Sequence, residues 1–131
     1  MAVGLSSANF VDKVLNHMLR ATASTAPAAN HVQPHSGDPG ASGTANTISG
    51  QTSRQSVTFA APSGGACASS STPTFASWAG GSVTVSHISV HDSSTSGLFL
   101  YSANLTTPKA ITNGDTFTLS SLSVSLAPLA A

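Results

Sequence analysis

The chain has 131 residues, room for one domain and a short appendage, and its four basic and four acidic residues cancel. Charged residues make up 6% of it, against about 25% in an ordinary soluble protein, so no face can gather the cations that nucleic acid or an anionic membrane requires. So few charges give little protection against self-association, which implies a surface covered by further copies or by a larger assembly.

Residues 7–20 are predicted to form the one convincing helix. Phe10, Val11, Val14, Leu15, Met18 and Leu19 recur at three- and four-residue spacing, with Asn9, Asp12, Lys13, Asn16, His17 and Arg20 opposite them. Ser6 or Ser7 caps its start. The stripe is expected to cover one face of a β domain, because a short helix gains most of its stability from tertiary contact. The alternative is an assembly interface through Phe10, Val14, Leu15 and Met18.

From 21 to 51 the periodicity vanishes into Ala, Ser, Thr, Gly, Pro and Asn, and Pro27, Pro34 and Pro39 break any regular element. An extended low-complexity arm is expected there, leaving 1–20 as the helical region and 52–131 as the β domain. Alternation resumes at 54–60, with Val57 and Phe59 on one face, and a weaker edge strand is expected over 72–78 because of Pro73.

The β domain is organised on VTVSHISVHD and LFLYSANL, an antiparallel hairpin across a polar loop at Asp92–Gly97. Thr106-Thr107-Pro108-Lys109 reads as a turn or edge element, and Asn113-Gly114-Asp115 as a further turn. In TFTLSSLSVSL, Phe117 and Leu119 share one parity, whereas Leu122, Val124 and Leu126 share the other. A bulge, or a strand passing from one sheet to another, is expected at Ser120-Ser121. The fold class is thus mainly β: an antiparallel sandwich or barrel-like domain with one N-terminal amphipathic helix.

Bulky apolar residues are few: five Phe, one Trp, one Tyr and two Met beside a modest set of Leu, Val and Ile. Oligomerisation is a common remedy for a thin core. Cys67 is the sole cysteine, so no intrachain disulfide forms, and no His or basic neighbour in sequence activates its thiol. No signal peptide and no membrane-spanning run is read.

No catalytic residues, metal ligands or cofactor site are expected. His87 and His91, four apart on one strand, would lie roughly 13 Å apart at about 3.3 Å per residue, too far to share a metal. Pro34 argues against a helix that would bring His31 and His35 together. Serines abound without a G-x-S-x-G elbow, and four Asp with no Glu supply few acids or bases. Trp78, Phe99 and Tyr101 are candidates for a carbohydrate-recognition face, with Phe99 and Tyr101 expected on one side; burial in the core is the favoured alternative.

Several stretches carry a family resemblance: NHMLR at 16–20, DPG at 38–40, TANTISG at 44–50 and RQSVTFAAP at 54–62. WAGGSVTVSHISV at 78–90, LTTPKAI at 105–111 and GDTFTL at 114–119 continue it. The chain resembles small phage structural proteins labelled tail-fibre-like or minor tail proteins, known particularly from siphophages. The resemblance implies a non-enzymatic virion subunit assembled in the host cytoplasm. Its implied partners are further copies of itself, as a trimer, and the major capsid or tail proteins. Capsid decoration and host adhesion through glycans are the alternatives.

Overall fold

A computed structural model describes residues 3–126; the outer ends of the predicted helical and β regions, 1–2 and 127–131, lie outside the described residues. A π-helical turn, Ser7–Val11, leads directly into helix α1, Asp12–Arg20. Ser6 caps it, its side chain accepting a hydrogen bond from the Asn9 N–H. At the far end Ala21 turns left-handed and its N–H closes on the Asn16 carbonyl.

Among the described residues eight strands follow: β1 (His31–His35), β2 (Gln55–Ser56), β3 (Ala66–Ala68), β4 (Thr74–Phe75), β5 (Val83–His91), β6 (Phe99–Ile111), β7 (Phe117–Thr118) and β8 (Ser123–Ser125). They form a four-stranded sheet ordered β2-β1-β5-β6 and two two-stranded sheets, β3-β8 and β4-β7. Every pairing is antiparallel. The architecture is mainly β with one short N-terminal helix, as expected, and the β5–β6 hairpin is its spine.

The C-terminal run changes sheets where its parity slips. β7 pairs with β4 and β8 with β3, so Phe117 and Leu119 on one side of Ser120-Ser121, and Leu122 on the other, are all buried. Two apolar clusters result. Val32, Val57, Ile88, Val90, Leu100, Tyr101, Leu119 and Leu122 fill one face of the main sheet. Ile48, Phe75, Trp78, Val85, Ile111 and Phe117 fill the second cluster.

Three expectations need correction. First, 21–51 is not uniformly irregular, because His31–His35 is an inner strand paired with both β2 and β5. Pro34 is tolerated because β2 has ended at Val32 and the bridge of Thr47 begins only at His35, so on that side nothing pairs with it. The turn that follows is closed by Asp38, whose Oδ1 accepts the Gly40 N–H, and Ile48 enters the second cluster.

Second, of the two readings of Thr106–Lys109 the edge element holds and the turn does not, because the segment stays within the outermost strand, β6, and the strand bulges there. Val85 faces Lys109 and His87 faces Asn104, so four β6 residues stand opposite Ser86 alone. Pro108 fits because β6 is the outermost strand of its sheet. Third, α1 does not cover the β domain. Only its first turn meets the sheet, where Phe10 lies edge-on to Tyr101 at 6.3 Å between ring centres and Asn9 reaches the Phe99 carbonyl. Beyond that turn the stripe faces solvent.

Candidate functional site

Val14, Leu15, Met18 and Leu19 form the most exposed large apolar group of the described chain. Leu15 is 48% exposed, Met18 72% and Leu19 77%. The helix is still held in place, since its entry is fixed to the outer edge of β6: Leu5 bridges Tyr101, and the Ser6 N–H donates to the Leu100 carbonyl at 2.7 Å. The Asn9 side chain adds a bond to the Phe99 carbonyl at 3.0 Å. An amphipathic helix is thus anchored at its N-terminal turn and left without a partner along its C-terminal turns.

Beside that anchor lies a pocket of about 280 Å³ lined by Phe10, Pro27, Asn30, Phe59, Cys67, Tyr101 and Val124. The Cys67 thiol donates to the Ala60 carbonyl at 3.1 Å. Burial raises the Tyr101 phenol well above its ordinary value, and its hydroxyl has no hydrogen-bond partner. A larger cleft, about 520 Å³, opens between the β6 bulge and the β7–β8 connection, with Ser and Thr on its rim and Lys109 as its single charge. The smaller pocket thus brings the Cys67 thiol and the Tyr101 phenol to one lining, whereas Lys109 stands alone in the cleft.

The three aromatic candidates for a recognition face are all in the interior. Trp78 is 1% exposed and sits against Phe117, with its indole N–H on the Gly81 carbonyl at 3.1 Å. Phe99 and Tyr101 are also buried. They do not face the same way: Val90 pairs with Tyr101 and His91 with Phe99, so Leu100 is a bulged residue that reverses parity between the two rings. Phe99 lies beside His91 with the rings tilted by 56°, whereas Tyr101 joins the apolar cluster with Phe10 against it. A glycan-stacking role for these rings has no surface to act from.

The histidines form an arrangement that separate reading of each stretch missed. β1 and β5 each contain a five-residue segment beginning and ending in histidine, HVQPH and HISVH, and these pair antiparallel so that His31 faces His91 and His35 faces His87. Four of the five histidines therefore stand on one face of the sheet, with Gln33 and Ser89 between them. Arg54 borders this face, its Nε donating to Gln33 Oε1 at 3.1 Å and its guanidinium to the Ser93 and Ser96 carbonyls. It thereby holds the base of the Asp92–Gly97 loop, which Asp92 closes by accepting the Leu98 N–H at 2.7 Å.

Among the described residues no group of three or more His, Cys, Asp or Glu is placed to hold a metal ion, and no helix is long and apolar enough to cross a membrane.

A small, charge-poor, mainly β chain that leaves an anchored amphipathic helix unpartnered has the character of a structural subunit. Residues 6–127 match the family described as Podophage GP4 fiber I protein gp80, and the chain belongs to that family of phage fibre proteins. The resemblance to tail-fibre-like phage proteins therefore holds, within a family named for a podophage. Fibre proteins of this kind are virion components. A search of curated proteins gives no match.

Proposed function

We propose that the chain is a non-enzymatic subunit of a phage fibre, that it assembles with copies of itself as a trimer, and that it docks on other structural proteins of the particle. The observation that carries the reading is the exposed stripe of Val14, Leu15, Met18 and Leu19 on a helix fixed at its base. Met18 and Leu19, mostly exposed, forgo the larger part of the roughly 1.5–3 kcal/mol that full burial of such a side chain provides, and the half-buried Val14 and Leu15 a smaller part. A nine-residue helix is also too short to be stable by propensity alone. Burial between copies supplies both needs.

The charge balance agrees with this reading, because copies of zero net charge do not repel one another over a distance. The Ser/Thr-rich tip between β5 and β6 is exposed and remains outward when the helices meet. The subunit acts by packing, with no bond made or broken, and its place is in the virion assembled in the host cytoplasm.

Sedimentation equilibrium of the full chain tests the proposal. The wild type is expected to sediment as an oligomer, and a Leu15→Glu/Met18→Glu variant as a folded monomer with an unchanged β spectrum. A wild-type chain that stays monomeric at high concentration would overturn it.

A further inference from the structure

The segment from Ser36 to Gln51 lies over the histidine-bearing face of the main sheet, and two of its carbonyls end a hydrogen-bonded chain that runs through the sheet. His35 Nδ1 is 2.8 Å from the Ala45 carbonyl, and its Nε2 is 2.8 Å from Ser89 Oγ. Ser89 Oγ is in turn 3.1 Å from His91 Nε2, which is 3.3 Å from the Gly43 carbonyl. His35, Ser89 and His91 are all at most 1% exposed.

The proton positions follow from the two ends. A carbonyl only accepts, so His35 carries its proton on Nδ1 and its Nε2 is a bare acceptor. Ser89 must then donate to His35, which leaves its oxygen to accept from His91 Nε2–H; that same N–H is shared with the Gly43 carbonyl. Every donor is used once both rings are neutral and in opposite tautomers. His91 Nδ1 is left bare, buried and without a partner.

We propose that this chain is an acid-sensitive latch, which holds the 36–51 segment on the sheet while both imidazoles are neutral and releases it when either takes up a second proton. A proton on His35 Nε2 turns an acceptor into a donor facing Ser89, whose hydroxyl hydrogen then has nowhere to go. A proton on His91 Nδ1 meets no acceptor among its present bonds. Either event buries a charge, so the cheapest relief is to let water in beneath the segment.

The surrounding groups do not offset that cost. His31 stands opposite His91 and His87 opposite His35. Arg54 borders the face through Gln33. Asp92 follows His91 with its carboxylate on the Leu98 N–H, and Asp38 lies in the covering segment with Oδ1 on the Gly40 N–H. Burial above all, and then Arg54 and His35, oppose a positive charge on His91; they outweigh the Gly43 carbonyl and Asp92, which favour one, and lower its pKa to about 4. Burial lowers that of His35 as well.

Hydrogen exchange on the full chain, expressed as protection factors near neutrality and at about pH 4, tests the latch. The expected result is a loss of about tenfold or more in protection for amides between Gly40 and Gln51, while amides of the β5–β6 hairpin keep theirs. Unchanged protection of 40–51 would overturn the proposal, and so would a uniform loss across the whole domain. Imidazole nitrogen shifts of the wild type supply an independent readout near neutrality. Opposite neutral tautomers, Nδ1–H for His35 and Nε2–H for His91, support the latch; a shared tautomer or a charged ring refutes it. His17→Asn, on the exposed helix, is expected to reproduce the wild-type exchange pattern.

Discussion

Helix α1 and the β1–β5 face invert the usual sorting of side chains in opposite ways. On α1, Val14, Leu15, Met18 and Leu19 face water although they are apolar; on the sheet, His35, Ser89 and His91 are enclosed although they are polar. The polar interior is joined in one hydrogen-bonded chain that ends on carbonyls of the 36–51 segment and leaves His91 Nδ1 as its one bare atom, so its needs are met almost wholly within the fold. The apolar exterior has no counterpart among the described residues. A fold complete at one end and incomplete at the other is what a subunit needs if it must hold its own shape and still join others.

The difference predicts where substitution costs most. Gly43 sits at φ +71, and a Cβ there would meet the Phe99 ring at 2.1 Å. Gly43→Val is therefore expected to destabilise the monomer by about 3 kcal/mol or more, through left-handed strain and overpacking together, read from the urea midpoint. An equal cost at an exposed α1 position would erase the contrast between the regions.

The acid limb follows. The folded-state pKa of His91, about 4, lies below its ordinary 6.5, so the unfolded chain binds more protons between those values. The stability tied to His91 is fully present above pH 6.5 and is lost as pH falls toward 4. Thermal melts over that range should fall steadily, and His91→Phe should flatten the slope even though it lowers stability near neutrality.

Tyr101 sharpens the comparison from the apolar side, because its hydroxyl is one of the few buried side-chain polar atoms without a partner among the described residues. Tyr101→Phe is expected to leave the monomer as stable or up to about 1 kcal/mol more stable by denaturant unfolding. Ala21, left-handed at φ 51, should gain several tenths of a kcal/mol on Ala21→Gly, detected as reduced fraying of α1 by hydrogen exchange. The smallest effect belongs to the stripe itself. Leu19→Ser is expected to change monomer stability by no more than about 0.5 kcal/mol, since Leu19 is 77% exposed among the described residues.

What could be read from the sequence tracks the same division. The helix, the β5–β6 hairpin, the Asn113–Asp115 turn and the change of sheet at Ser120-Ser121 all announce themselves by local spacing. β1 did not, because its polar residues and Pro34 look like loop until their partners are known. A signal was present: Val32 and Pro34 alternate with His31, Gln33 and His35, and HVQPH matches HISVH in reverse register. The network also depends on carbonyls of Gly43 and Ala45, which no side-chain pattern encodes. The opposed directions of Phe99 and Tyr101 rest on one bulged residue, Leu100, and a parity count through the strand cannot detect it.

The most direct test is electron cryomicroscopy of the assembled particle at a resolution that traces this chain. The account predicts copies grouped in the fibre with Val14, Leu15, Met18 and Leu19 of each α1 buried against a neighbouring copy. Copies that touch only through their sheets, with every α1 stripe still facing solvent, would contradict it.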